Sequence, residues 1–370
     1  MIPVNEPKFG PREKELLNQC IDTGWVSSDG PFIKEFEDKF AAFIGMKHGV
    51  AVCNGTAAIE AALFALDVKA GDEVIMPTFT IISCAVAALR LGAKPVLVDI
   101  EPENWTMDIG AVESKITKRT KVIMPVHIYG HPVDMDPLLE IARRRGIKIM
   151  EDAAEVHGAE YKGRKCGSMS EVSSWSFYAN KIVTTGEGGM VLTNDDRAAE
   201  KARSFRNLCF KPEKRFFHTE IGYNFRMTNM QAALGVAQTE RIEESIRLKR
   251  HLGDYYRRKL ATIPGIRFAP EQPWAKSVYW MYAVEVDFST GWTAETLMKK
   301  LAERGVGTRP FFMGMHMQPA FHDMGLFVGE SYPKTEYAYK QGFYLPSGMA
   351  LTEEQVDTVC DVLSSVMNNR

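Results

Sequence analysis

The chain has 370 residues, 45% hydrophobic and 25% charged, with a formal net charge of -2. That composition belongs to a soluble globular protein with a sizeable core, and its balanced charge excludes the electrostatic footprint of a nucleic-acid-binding or membrane-surface protein. Six scattered cysteines with no CxxC pair exclude a zinc ribbon and a disulfide framework, and free thiols fit a reducing compartment.

The opening stretch MIPVNEPKFGPREKELL has no basic segment followed by an apolar one, so no signal peptide is expected. The longest apolar stretch, around TIISCAVAALRLGA, is short and broken by Arg90, so no membrane span is expected either. A cytoplasmic location is the expectation. GPREKELLNQCIDTG and GPFIKEFEDKFAAFIG read as helices, with proline at the start and glycine after the end. Strands and helices then alternate: HGVAVCN (strand), TAAIEAALFAL (helix), DEVIMP (strand), IISCAVAALRLG (helix), AKPVLVDI (strand). TKVIMPVHIYG reads as one long apolar strand, MDPLLEIARRRG as a helix and IKIMEDAA as a strand. Near-continuous apolar strand runs indicate parallel strands covered on both faces by helices.

After SSWSFYANK and GGMVLTN, a helix is expected at DRAAEKARSFRN. An extended excursion follows at LCFKPEKRFFHTEIGYNFRMTN, then one helix over 229–260, long enough to connect two domains. Strands at YWMYAVEVDF and VGTRPFF and helices at TAETLMKKLAERG and TEEQVDTVCDVLSSVMN read as a smaller α+β domain. The expected division is a large domain over 1–245 and a small C-terminal domain over 246–370. No tandem repeat is present.

Four features can carry chemistry. In VCNGTAA a strand turns through Asn54, Gly55 and Thr56 into a helix, where backbone N–H groups and the helix dipole favour an anion; the plain alternative is a helix cap. No GK[ST] follows, and no GxGxxG follows a strand, which disfavours a nucleotide loop and a nicotinamide site. In IMEDAAEVHG, Glu151 and Asp152 end an apolar strand, where open α/β sheets bind ligands and an acid can pair with a cation. His157 reads as a packing histidine, and no metal site is expected. Phe79, in PTFTIIS, is an aromatic at the same edge, able to stack on a planar ring or to pack in the core. Lys181 follows an aromatic strand directly, and a lysine beside a dry pocket can act as a nucleophile toward a carbonyl. An anion cup, a ring-face aromatic, a strand-end carboxylate and a strand-end lysine together suit pyridoxal 5'-phosphate.

The ordered series GWVSSDGPFIKEFEDKFAAFIG, NGTAAIEAAL, GDEVIMPTFT, PVLVDI, PVHIYG, EDAAEVHGA, SFYANKIVTTGEGGMVLTN and IGYNFRMTNMQAALG resembles the DegT/DnrJ/EryC1/StrS family of sugar aminotransferases along almost the whole chain. The resemblance implies the α/β fold-type-I architecture: a mostly parallel central sheet covered by helices, plus the smaller C-terminal domain. It implies that Lys181 holds the cofactor covalently and later shuttles protons, that Asp152 pairs with the ring nitrogen, and that Phe79 stacks on the ring. Gly55, Thr56, Ala57 and Ser176 would surround the phosphate. Asn224 would reach the phosphate of a neighbouring subunit, which makes the working unit a homodimer or larger with sites at the subunit interface. Glu155 stands where the family usually carries glutamine near the ring hydroxyl, and must be protonated there or find another donor.

The stretch GVGTRPFFMGMHMQPAF resembles the branch of that family that makes GDP-perosamine, aminating carbon 4 of GDP-4-keto-6-deoxymannose with L-glutamate as donor. Trp25, Arg226, His218, Arg309 and His316 are the candidates for contacts to the nucleotide-linked keto sugar. The implied kinetics are ping-pong, and lysine rather than histidine at 181 favours transamination over dehydration. Amination at carbon 3, a UDP- or dTDP-linked substrate, a sugar dehydratase and a cofactor-binding regulator stay open as alternatives.

Overall fold

The computed structural model describes residues 1–211, 213–214 and 216–368. Two helices lead, α1 (Pro11–Thr23) and α2 (Pro31–Ile44), each with proline in its first turn. Gly24 and Gly45 end them at φ of 73° and 90°, the left-handed conformation glycine takes freely. The alternation expected from the sequence follows: β1 (His48–Val52), α3 (Gly55–Ala65), β2 (Glu73–Pro77), α4 (Ser83–Arg90), β3 (Lys94–Val98), α5 (Ile109–Lys115), β4 (Thr120–Ile123), α6 (Met135–Arg145) and β5 (Lys148–Asp152). Then come the short β6 (Glu160–Tyr161) and β7 (Arg164–Lys165), β8 (Val172–Ser176), β9 (Gly189–Thr193) and α7 (Asp196–Arg206).

Seven of these strands form one sheet in the order β1-β9-β8-β5-β4-β2-β3. Pairing is parallel from β8 through β3, and β9 alone runs antiparallel to its neighbours β1 and β8. Side chains alternate across a strand, and here the alternation feeds two cores. Val74, Met76, Leu97, Val122 and Met150 join Ala58, Leu63 and Ala88 of α3 and α4. Ile75, Val98, Ile123 and Ile149 join Val112 and Leu138 of α5 and α6. The sheet is covered on both faces, which is why its strands read as unbroken apolar runs.

Two readings differ from the structure here. The strand expected over 120–130 ends at Ile123, because Pro125 has no N–H to give a ladder. Beyond it Tyr129 and Gly130 take φ of 52° and 100° and turn the chain across the sheet edge. The helix expected over 229–260 is two helices, α8 (Asn229–Glu240) and α9 (Ile242–Leu260). They part at Arg241, whose backbone leaves the helical region at φ -114°, ψ 15° while its guanidinium pairs with Glu13 of α1 at 2.7 Å. Positions 212 and 215 of the expected excursion lie outside the described residues.

The rest comprises β10 (Ile266–Phe268), β11 (Ala275–Lys276), β12 (Tyr282–Val286), α10 (Ala294–Glu303), β13 (Arg309–Pro310), α11 (Pro319–Asp323), α12 (Pro333–Gln341), β14 (Gly342–Leu345) and α13 (Glu353–Asn368). Four of these strands make an antiparallel sheet, β10-β12-β14-β13, while β11 joins β6 and β7. Its core is Leu252, Tyr256, Val284, Leu297, Val356 and Leu363, from α9, β12, α10 and α13. The strand expected over 306–312 is paired only at Arg309 and Pro310. Among the described residues, no helix is long and apolar enough to cross a membrane.

Candidate active site

A cavity of about 530 Å³ opens at the carboxyl ends of β2, β5 and β8, the edge where open α/β sheets bind ligands. One end of it is built from the Asn54–Thr56 turn. The first four amides of a helix have no partner within it. In α3 the Asn54 side chain accepts from Ala57 at 2.8 Å and its carbonyl accepts from Ala58 at 3.1 Å, which leaves the Gly55 and Thr56 amides for a ligand. Three hydroxyls border the same end: Thr56 and Ser83, 2.8 Å apart, and Ser176. Gly55 is needed there because a Cβ would lie 2.8 Å from Cβ of Ser176. Partial positive charge, free amides and hydroxyls make an anion cradle.

The other end holds ionisable groups. Alternation along β5 sends its two terminal acids opposite ways. Glu151 turns from the cavity and is consumed by His127 at 3.0 Å and the amides of Gly167 and Met169 at 2.7 and 2.9 Å. Asp152 lines the cavity; burial pushes its carboxyl up, opposed by the Ala154 amide at 3.1 Å and the Cys84 thiol at 3.3 Å. Glu155 accepts the Tyr129 amide at 2.7 Å, and burial lifts its carboxyl to about 7 against the pull of Lys181.

Lys181 is 9% exposed. Its Nζ lies 3.8 Å from Oε1 of Glu155 and 3.5 Å from the ring centroid of Trp280. Burial pulls the amine below the ordinary lysine range, and Glu155 and Asp152 pull it back up. Behind the lysine, His157 is fully buried among Phe40, Trp175 and Phe177. Burial pushes its imidazole down to about 3.

The cavity gathers Gly55, Thr56, Asp152, Glu155, Ser176 and Lys181. Ala57 stands one residue inside, its amide spent on the cap. Phe79 is 1% exposed, edge-on to Tyr129, Phe311 and Phe312, while Ile81, two residues on, lines the cavity and is 47% exposed. Asn224 is exposed, bridged to Asn207 and outside the cavity. Arg226 donates to Asn207 at 2.6 Å and borders a separate cavity of about 680 Å³, with Arg203 and Arg206. Trp25 is half exposed, its carbonyl taking the Asn229 side chain at 2.8 Å. His218 is exposed and bonds the Leu208 carbonyl at 2.8 Å. Arg309 is exposed on β13, in register with the cavity-lining Tyr344. His316 is buried, its ring nitrogens 2.8 Å from Thr78 and 3.2 Å from Glu336.

Sequence reasoning missed Ser83, Ser174, Asn180, Trp280, Phe312 and Tyr344 on the cavity wall. The first three flank motifs already singled out. The last three arrive from the second half of the chain with no local signal. Ser174 Oγ and Asn180 Oδ1 are buried there without a hydrogen-bond partner among the described residues.

The pattern of the DegT/DnrJ/EryC1/StrS aminotransferase family matches residues 7–364. The GDP-perosamine synthase of Caulobacter vibrioides is 41% identical over 367 residues, 99% of this chain and 98% of that one. The GDP-perosamine synthase of Escherichia coli O157:H7 is 38% identical over 369 residues, 100% and 99% of the two chains. The structure of Spr1654 from Streptococcus pneumoniae in its PLP form superposes with a TM-score of 0.92 at 26% identity, covering 99% of this chain and 98% of that one.

Proposed function

The chain belongs to the DegT/DnrJ/EryC1/StrS aminotransferase family, and from that premise we propose that it transfers an amino group from L-glutamate to carbon 4 of GDP-4-keto-6-deoxy-D-mannose, giving GDP-perosamine, with pyridoxal 5'-phosphate as cofactor. The observation that carries the substrate is full-length similarity to two GDP-perosamine synthases.

The cavity's donor set fits the cofactor. Gly55, Thr56, Ser83 and Ser176 suit the phosphate, and the unpartnered Ser174 and Asn180 oxygens are polar atoms that a ligand would satisfy. Asp152, buried at the strand end, suits the protonated ring nitrogen. Ile81 and Phe312 offer apolar surface to a planar ring. Lys181 suits the aldehyde carbon. When bound, the cofactor supplies an electron sink for the carbon that loses its proton.

The protein's own work is then to hold, orient and move protons. Lys181 Nζ takes the proton from the α-carbon of glutamate and later delivers one to sugar carbon 4. Burial lowers its basicity toward the range in which an amine accepts a proton near neutral pH. Asp152 stays ionised once the ring-nitrogen cation adds to the pull of Lys181 on its buried carboxyl. The Trp280 ring, 3.5 Å from Nζ, covers one side of the lysine, and Tyr344 lines the same cavity. The working unit is a homodimer or larger, supported by Asn224 lying exposed near the exposed apolar Phe217 and Ile221 on a segment outside the cavity. We assign the protein to the cytoplasm.

The test is chemical. Borohydride should fix the cofactor on Lys181, read by peptide mass. L-glutamate with GDP-4-keto-6-deoxy-D-mannose should give a product of the mass and stereochemistry of GDP-perosamine, while UDP- and dTDP-linked keto sugars should be poor substrates. Amination of a UDP- or dTDP-linked sugar in preference would overturn the substrate, and a Lys181→Ala protein of wild-type rate would overturn the mechanism.

A further inference from the structure

The closed end of the cavity holds three buried ionisable side chains: Asp152, Glu155 and Lys181. Two carboxyls face one amine. With all three charged, the cluster keeps an unbalanced negative charge away from water, which is costly, so one carboxyl is favoured to hold a proton. The hydrogen bonds select which. Asp152 accepts at both oxygens, from the Ala154 amide and the Cys84 thiol. Glu155 accepts at Oε2 alone, from the Tyr129 amide. Its Oε1 faces Lys181 Nζ at 3.8 Å and has no other donor among the described residues.

We propose that Glu155 and Lys181 form a proton-sharing pair, in which the neutral Glu155 carboxyl reloads the Lys181 amine. The inference rests on the reading that Lys181 carries the proton traffic of an amino-group transfer. In the step, the O–H bond at Glu155 Oε1 breaks and an N–H bond forms on the lone pair of Lys181 Nζ. A neutral acid and amine become a carboxylate and an ammonium, and the reverse step resets them. No further reactant enters. Contact requires the 3.8 Å gap to close to about 2.8 Å, within reach of rotation about either flexible side chain. The products are supported where they form. The Trp280 ring, 3.5 Å from Nζ, favours the cation, and the Tyr129 amide favours the carboxylate.

Other groups that face the pair do not compete for the proton near neutral pH. Burial raises Cys84 on α4 and Tyr129 after β4 well above their ordinary values, and raises Tyr344 on β14 to about 12. His157 is held neutral down to about 3. Burial pushes the carboxyl of Asp152 on β5 up as well, but the Ala154 amide and the Cys84 thiol, one at each oxygen, favour its ionised form.

The experiment uses the full-length chain freed of bound cofactor. Lys181 is labelled competitively with acetic anhydride over a pH series, and its peptide is quantified by mass spectrometry. Glu155→Gln keeps the size and the acceptor for Tyr129 but cannot ionise. Glutamine cannot become the carboxylate that holds the ammonium once the proton has passed to Lys181, so the amine sheds its proton more readily and the labelling midpoint should fall by about one pH unit or more. Glu155→Asp should recover part of that shift. A second measurement guards against a variant that fails to fold: infrared spectra of wild type against Glu155→Asp at neutral pH should differ in a protonated-carboxyl band. Coincident labelling midpoints for wild type and Glu155→Gln, or no such band in wild type, would overturn the pair. Neither readout involves turnover, so a chain that shares the proton but transfers no amino group would refute only the assigned reaction.

Discussion

Trp280 holds Lys181 twice: its ring centroid lies 3.5 Å from the lysine's Nζ, and its indole N–H donates at 2.8 Å to the carbonyl of Asn180, the residue before that lysine. Head group and backbone are both fixed by a side chain about a hundred positions away in sequence. Trp280→Phe keeps an aromatic face and loses the indole bond. It should cost about 1 kcal/mol, roughly a five-fold fall in kcat/KM. Trp280→Ala removes both supports and should cost about 10²-fold, as misplacement of a reacting group does. Steady-state kinetics with both substrates checks the order.

The anion cradle is tested at Gly55. In Gly55→Ala the new Cβ meets Ser176 at 2.8 Å from Cβ and 3.1 Å from Oγ, so the turn or β8 must shift. Overpacking of this kind costs about 1–3 kcal/mol. Pyridoxal phosphate affinity, measured by equilibrium dialysis and absorbance, should fall by about five-fold or more, while pyridoxal without the phosphate should lose far less.

Lys249 of α9 is buried and donates to the carbonyls of Trp280 at 2.9 Å and Ser347 at 2.5 Å. Burial pushes its amine down to about 7, and a neutral amine still offers two N–H donors for two carbonyls. Lys249→Met leaves both acceptors unpaired and should lower stability by about 1–3 kcal/mol in urea unfolding. The sign of the pH dependence follows from the lowered value. Between 7 and the ordinary 10.5 the unfolded chain binds a proton that the folded chain declines, so this residue's contribution falls as pH drops through that window. The methionine variant should lose that slope.

His157 sets an acid limit by the same linkage. Its folded value of about 3 lies below the ordinary 6.5, so its contribution is intact above 6.5 and declines as pH falls toward 3. Thermal melts over that range should show a steeper loss for wild type than for His157→Phe, whose ring stays among Phe40, Trp175 and Phe177. Equal slopes would mean that other groups dominate acid unfolding.

The legible parts of this molecule were those written locally. Val52–Ala58 carries strand, cap and helix in seven adjacent residues, and the Gly55 cradle follows from them. Asp152 ends an apolar run, Lys181 lies in the loop beyond the end of β8 at Ser176 rather than at the strand end expected, and both fall on the cavity wall. Period-two alternation explains why Asp152 and not Glu151 faces inward, once the strand's facing is known. At the turn after β2, by contrast, facing is set by loop geometry: Phe79 packs inward beneath Phe312 while Ile81 lines the cavity. Trp280, Phe312 and Tyr344 were invisible because tertiary packing alone brings them to the wall. The break at Arg241 was hidden by strong helix formers on both sides, and only its pairing with Glu13, far earlier in the chain, reveals why the backbone turns there.

The single reversed strand, β9, has a further consequence. Because it returns beside β8, the loop that bears Lys181 starts and finishes on adjacent strands at one edge of the sheet, with Ser176 opposite Gly189. The Phe177 amide reaches the Gly188 carbonyl at 2.8 Å and closes the loop's base. The loops after β2, β3 and β4 lead instead into the helices α4, α5 and α6, which can slide to absorb an inserted residue. This one has both feet in the same ladder, so an extra residue could only bulge into the cavity or slip the pairing by one. Across natural variation, its length should be held more strictly than the identity of most of its side chains.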